Sequence, residues 1–281
     1  MQFVVSMMFA NDQLSICIKI IKRSHNLNYT FANYEWGSWQ KADQMKSWQE
    51  DHLNALLRMK DESELMTRLA HSARQMGFDY CAYGAQMPVP FICPTVTLIN
   101  TYPASWKSRY ALQNYLEVDP IVAYGRRSCL PVVWSEQLFK DVPTFWEEAQ
   151  SHGLKGGWSK SVRDAQGTLG MLSMARDGAA LGANEIFSKN ARLSWLSDFA
   201  HVGMMQLLLP KQVPESQIIL TDRELEVLRW TAEGKTAFEI GHILRVSERT
   251  INFHINNIVQ KLGACNKTQA AVKAVTLGML I

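Results

Sequence analysis

Ser247-Glu-Arg-Thr-Ile-Asn-Phe-His-Ile-Asn-Asn-Ile-Val-Gln-Lys-Leu262 decides how this chain is read. Ile251, Ile255, Ile258 and Leu262 recur at spacings of four, three and four, which places them on one stripe of an α-helix. The opposite side carries Arg249, Asn252, Phe253, Asn256 and Gln260. Three of those are amides, which can bond a base edge in two places at once. An aliphatic back and an amide-rich front suit a helix that lies in a groove.

The residues upstream complete a helix-turn-helix. Thr221-Asp-Arg-Glu224 has the form of a capping box, with Leu225, Leu228 and Ala232 as the buried side of the helix it opens and Gly234 as its exit. A second box, Thr236-Ala-Phe-Glu239, opens a short helix holding Ile240, Ile243 and Leu244. Arg245-Val246 is the turn and Ser247 the next N-cap. Downstream, Gly263 ends the long helix and Asn266 caps a fourth, from which Ala270, Ala271, Ala274 and Leu277 face inward. The plainer reading is an ordinary four-helix bundle with solvated amides, but three N-caps at the right distances are hard to obtain by chance. The wording is more specific. Leu220-Thr-Asp-Arg-Glu-Leu-Glu-Val-Leu-Arg-Trp230, Glu233-Gly-Lys-Thr236, Thr250-Ile-Asn-Phe-His254 and Asn266-Lys-Thr268 resemble the DNA-binding domain of LuxR-type transcription factors.

A chain of 281 residues has room for two cores. Its hydrophobic share of 47% and charged share of 20% are ordinary for globular protein, and a net charge of +3 is too small to argue nucleic acid by itself. Five cysteines, scattered and never two or four apart, exclude a local zinc knuckle and imply reduced thiols in a cytoplasmic setting. The apolar run 3–10 is too short and wrongly flanked for a signal peptide or a membrane span. Gly-x-Ser-x-Gly is absent and the seven histidines form no metal-ligand pattern, so no catalytic residue, metal or cofactor is expected.

Read in order, residues 1–44 lack a helical or strand period, which makes Met45 a candidate natural start; an ordered N-terminal cap is the competing reading. From Leu53 to Gly77 the pattern is amphipathic helix. Strands are expected at 78–84, 96–101, 131–134, 158–162 and 169–175, with Ala165-Gln-Gly167 as a hairpin turn. Helices are expected from Tyr102 to Tyr115, after the cap Asp119-Pro120, from Phe145 to His152, and from Asn184 to about Leu208. The stretch 210–217 loses all period and reads as a linker. The expected fold is α+β: an extension over 1–44, an α-β-α sandwich with an antiparallel sheet over 45–209, the linker, and an all-α four-helix helix-turn-helix domain over 218–281.

Polar aromatics and a carboxylate gather in otherwise apolar sequence at Tyr102, Trp106, Tyr110, Asp119, Trp134 and Ser173, a mixture that suits an apolar pocket with a few convergent polar groups. Taken singly, each has a plainer reading: core aromatics with satisfied tips, a helix cap at Asp119, a structural serine. In spacing, Trp106, Tyr110, Asp119, Pro120, Trp134 and Gly157, with Glu224, Leu228 and Gly234, resemble the hallmark positions of acyl-homoserine-lactone receptors within the LuxR family. That resemblance implies a lactone carbonyl held by Trp106, the ligand amide N–H by Asp119, the amide carbonyl by Tyr102 and Ser173, and walls from Tyr110 and Trp134. Gly77-Phe-Asp-Tyr80, Thr101-Tyr-Pro103 and Ala237-Phe-Glu-Ile-Gly-His-Ile-Leu244 are similar to the CepR and SolR subgroup, which implies N-octanoyl-homoserine lactone. Lys107, where some receptors for 3-oxo signals have arginine, leans the same way. An eight-carbon tail carries about six methylenes, roughly 5 kcal/mol of burial at about 0.8 each.

For DNA, the resemblance implies base reading by Asn252 and Asn256, with Arg249 and His254 beside them. It implies phosphate contacts from Lys235, Thr236, Ser247, Thr250 and Lys261. One such helix reads few bases, so a homodimer on a palindrome is expected, paired through the 184–208 helix and the last helix. RNA polymerase is a further partner implied. The rival reading, a constitutive DNA-binding protein whose first domain is purely structural, stays open on sequence alone.

Overall fold

A computed structural model of the chain describes residues 37–56 and 59–280. The chain divides between Gln49 and Glu50, and apart from the first part of the helix Gly37–Leu56 everything described below lies in the unit Glu50–Ile281. Helix α1, Gly37–Leu56, begins inside the stretch read as unpatterned; residues 1–36 lie outside the described residues, as does most of that expectation. The segment contains no proline and no β-branched residue, so local propensity favours helix although no apolar stripe announces it.

Five strands form one antiparallel sheet in the order β2-β1-β5-β4-β3. They are β1 (Tyr80–Gln86), β2 (Val96–Asn100), β3 (Val132–Val133), β4 (Gly156–Arg163) and β5 (Leu169–Arg176). Helix α2 (Glu62–Gln75), N-capped by Asp61, packs on β1 and on a long C-terminal helix of this half that also covers β4 and β5. On the other face lie α3 (Ala104–Leu112), α4 (Pro120–Gly125), α5 (Glu136–Phe139) and α6 (Pro143–Ser151). The expected sandwich is therefore present, with strand alternation dividing the two cores. Cys81, Tyr83, Trp158, Leu172 and Met174 are buried behind the sheet, and Trp106, Trp134, Phe139, Phe145 and Trp146 cluster in front.

Two glycines set the thickness of those layers. A Cβ on Gly170 would lie 2.2 Å from Nδ1 of His201 on the back, and one on Gly157 would lie 2.3 Å from the Trp134 ring on the front. Behind Gly170, His201 Nδ1 is 2.8 Å from the Tyr83 hydroxyl, while its Nε2 is 3.3 Å from Asp164, which also accepts from the Thr168 hydroxyl. That network anchors the β4–β5 turn. The turn in turn touches the far end of the second half: a Cβ on Gly278 would meet the Ala165 carbonyl at 2.7 Å.

Two boundaries differ from expectation. The helix expected to reach Tyr115 stops at Leu112, because Asn114 takes a left-handed conformation (φ 50°) and Tyr115–Glu117 form a 3-10 turn. The segment 210–217 is no loose linker. Helix α7 runs Ala183–Gln212, and Pro214–Gln217 is a 3-10 turn. Pro210 sits in the last turn, where its missing N–H costs the helix one hydrogen bond, and the helix ends two residues later at Gln212.

The second half has four helices, α8 (Asp222–Ala232), α9 (Ala237–Leu244), α10 (Glu248–Lys261) and α11 (Lys267–Thr276). Thr221–Glu224 and Thr236–Glu239 both close as full capping boxes, and Ser247 and Asn266 cap the other two helices. Between α9 and α10, Arg245 turns left-handed (φ 55°), and Gly241 lets the Val246 carbonyl approach to 2.9 Å of where a Cβ would be. Val227, Leu228, Ile240, Ile251, Ile258 and Leu262 form the core.

Candidate ligand pocket and nucleic-acid interface

The front of the sheet holds a cavity of about 330 Å³, within the range of small-molecule sites. Tyr102, Trp106, Tyr110, Asp119, Trp134 and Ser173 all line it. The pairing register arranges its floor in rows. Asn100, Ala82, Ser173 and Ser159 align across four strands, then Leu98, Gly84, Met171 and Ser161, then Val96, Gln86, Leu169 and Arg163. Successive rows are two residues apart, about 6.6 Å. The first row is the polar one. The second is mostly apolar, and Val96 and Leu98 reach the surface at the far edge.

Asp119 is the N-cap of α4, and capping points its carboxylate inward rather than to water. Oδ1 accepts from the Ile121 amide at 2.8 Å and Oδ2 from the Tyr110 hydroxyl at 3.0 Å. Burial pushes its pKa up to about 6, against the lowering effect of those hydrogen bonds. A further donor brought into the cavity would relieve that strain on the ionised form. Burial also pushes the Tyr102 and Tyr110 phenols well above their usual range, so both stay protonated donors. Tyr110 is already committed to Asp119, which makes it both wall and orienting group. Trp106 is held by rings of Tyr110, Tyr115, Phe145 and His152 at 5.4–5.8 Å. Among the described residues neither its indole N–H nor the Tyr102 hydroxyl has a hydrogen-bond partner.

Ser159 is the residue that sequence reading passed over. The Trp134 indole donates to the Ser159 hydroxyl at 2.9 Å, and Ser159 donates to Ser173 at 2.8 Å. The indole N–H can only donate, so Ser159 accepts from Trp134, and with the Ser159 proton given to Ser173 the Ser173 proton is left for the cavity. The available signal was the alternation of Ser159 and Ser161 along β4, but only the β4–β5 register sets Ser159 opposite Ser173.

In the second half, Arg249, Asn252, Phe253, Asn256 and Gln260 form an exposed front on α10, while Ile251 and Ile258 face the core. His254 is half-buried. Thr236 and Ser247 spend their oxygens as caps, and Thr250 pairs with Ser247 at 2.8 Å. Lys235 and Thr236 flank the start of α9. Lys261 is different: its ammonium lies 2.7 Å from the buried Glu224 carboxylate and ties α10 to α8. Its charge is engaged there rather than free for a phosphate.

Residues 61–203 match the family described as an autoinducer binding domain, and residues 218–274 match bacterial regulatory proteins of the luxR family. The chain is 45% identical over 231 residues to the transcriptional activator protein SolR of Ralstonia solanacearum, covering 82% of this chain and 98% of that protein. It is 44% identical over 238 residues to the transcriptional activator protein AnoR of Acinetobacter nosocomialis, covering 84% and 100% respectively. The solved structure of SdiA in complex with octanoyl-rac-glycerol superposes with a TM-score of 0.73 at 33% identity, covering 84% of this chain and 96% of that one.

Proposed function

Because the chain belongs to the LuxR family of transcriptional regulators, with an autoinducer-binding domain ahead of its DNA-binding domain, we propose that it senses an N-acyl-homoserine lactone, with N-octanoyl as the best-fitting signal, and acts as a cytoplasmic homodimer on a palindromic site. The observation that carries this reading is the complementary polar set inside one apolar cavity. Asp119 retains acceptor capacity, while Trp106, Tyr102 and Ser173 hold donors that lack a partner or are turned inward. An N-acyl amide needs both kinds of group opposite it, since each orphan buried there costs about 1–3 kcal/mol.

In this reading the Trp106 indole donates to the lactone carbonyl, Asp119 accepts from the ligand amide, and Tyr102 and Ser173 donate to the amide carbonyl. The head lies over the polar first row of the sheet and the acyl chain runs along Leu98, Gly84 and Met171 toward Leu169. Lys107 is exposed at the cavity margin, consistent with an unsubstituted chain. Pairing of two copies is supported by outward apolar residues on α7 (Phe187 and Val202) and α11 (Val272 and Val275), faces that their own cores do not use. Asn252 and Asn256 then read bases, with Arg249 and His254 beside them, and Lys235, Thr236, Ser247 and Thr250 hold phosphates. SolR and AnoR are named activators, which supports an activating role with RNA polymerase as partner.

The direct test is melting of the purified protein with and without N-octanoyl-homoserine lactone. At a hundredfold excess over Kd, mass action supplies about 2.7 kcal/mol, or roughly 5–10 °C for a chain of this size. An identical melting curve with saturating lactone would remove the proposal. A second measurement addresses the donor chain. Ser159→Ala leaves the Trp134 N–H unpaired and frees Ser173 to rotate, so lactone affinity should fall by about five- to tenfold, the worth of one hydrogen bond. Unchanged affinity in calorimetry would show that Ser173 needs no such orientation.

A further inference from the structure

Phe253 is out of place on the front of α10. Its side chain is 61% exposed, it lies outside the hydrophobic cluster of its own domain, and the ring of His254 stands edge-on to it at 5.7 Å. Packing of the helix is done by Ile251, Ile258 and Leu262, none of which depends on it. Phe253 is in the second turn after the Ser247 cap, flanked along the helix by the exposed Asn252 and Asn256. Residues near the start of a recognition helix are those that reach base edges. A lone exposed apolar residue elsewhere would need no account; between two amides aimed at base edges it needs one.

The edges of the base pairs in the major groove are donors and acceptors with one apolar exception, the C5-methyl of thymine. A phenyl ring offers nothing to the polar edges and a good packing surface to that methyl. We propose that Phe253 is a specificity residue: in each half-site its ring packs on the C5-methyl of one thymine adjacent to the bases contacted by Asn252 and Asn256. This rests on the reading above that α10 enters the major groove. It adds a base preference that the amides do not provide, because a thymine is then distinguished from cytosine by a methyl group rather than by a hydrogen bond.

The test isolates that methyl. Full-length protein saturated with N-octanoyl-homoserine lactone selects its site from a random-sequence duplex library. Each thymine of the selected half-site is then replaced by deoxyuridine, which removes the methyl alone, and binding is followed by fluorescence anisotropy. At one thymine the wild type should bind roughly fourfold more weakly, the fold-change for one buried methyl, and about fifteenfold more weakly when both half-sites are changed. Phe253→Ala should bind the thymine and deoxyuridine duplexes equally, with Phe253→Leu in between. The exposed position predicts wild-type melting for both variants.

The proposal is overturned if the selected half-site holds no thymine, if the wild type binds every deoxyuridine duplex as tightly, or if Phe253→Ala still discriminates. Asn252→Ala separates this from failure of the underlying reading. Should it bind the selected duplex like wild type, the groove placement itself is wrong, and the thymine contact goes with it. Should it bind weakly while the deoxyuridine scan is flat, only the role of Phe253 is lost.

Discussion

Asp119→Asn is expected to weaken binding of N-octanoyl-homoserine lactone by about 10- to 100-fold while leaving the ligand-free protein at least as stable as wild type. The two effects have opposite causes. Binding loses a hydrogen bond to a charged acceptor, worth about 1.5–3 kcal/mol. Folding loses nothing at the cap, since asparagine accepts from the Ile121 amide as well as aspartate does. It also escapes the burial that lifts the Asp119 pKa to about 6. A purely structural Asp119 would produce a drop in melting temperature together with the loss of binding, and that joint result in calorimetry would refute the assignment.

The same raised pKa gives the wild type a pH signature with a definite sign. The folded value of about 6 lies above the ordinary 3.8, so the folded state holds its proton more tightly than the unfolded chain does. The penalty for the buried carboxylate is absent below 3.8, grows between 3.8 and 6, and is complete above 6. Acidification from pH 7 to pH 5 should therefore relieve about 1 kcal/mol of instability at this residue. In the proposed site lactone binding would run the other way, because the ligand amide bonds more strongly to the ionised acceptor. Affinity should be full above pH 6 and fall by up to about tenfold by pH 5. In Asp119→Asn both dependences should disappear.

Gly157→Ala is the second large effect. The added Cβ would stand 2.3–2.6 Å from three carbons of the Trp134 ring, and that ring cannot retreat without breaking its bond to Ser159. Overpacking of this kind costs about 3 kcal/mol, roughly 6–12 °C of melting temperature for a chain of this length. Adding Trp134→Leu should return much of the stability by giving the methyl room, yet should leave lactone affinity low, because the indole that orders Ser159 and Ser173 is gone. A Gly157→Ala protein melting within a degree or two of wild type would mean that the sheet and α5 are free to separate, contrary to the close packing of Trp134 on Phe139 and Trp146.

The helix-turn-helix was legible because its instructions are local. Thr221 with Glu224, Thr236 with Glu239, Ser247 with Thr250 and Asn266 with Gln269 all act across three residues, and the Ile251–Leu262 stripe acts across one helix. The six pocket residues were legible only as a group, by their gathering in apolar sequence and through resemblance, since each has an ordinary structural reading when taken singly. The first part of helix α1, before Leu53, was missed because propensity without an apolar stripe leaves no period to find. The end of α7 was missed because a proline in the last turn looks like a break.

From its own residues, then, the chain determined where its C-terminal helices begin and which faces they bury, for a cap or a stripe needs only neighbours within a turn or two. Tertiary structure alone decided that Ser159 stands between Trp134 and Ser173, that Lys261 is held by Glu224, and that Asp119 is buried far enough to resist ionisation. Each of those depends on strand register or helix packing that joins residues distant in the chain. Hydrogen-bond direction and desolvation are properties of what surrounds a side chain, and no local pattern of residues encodes them.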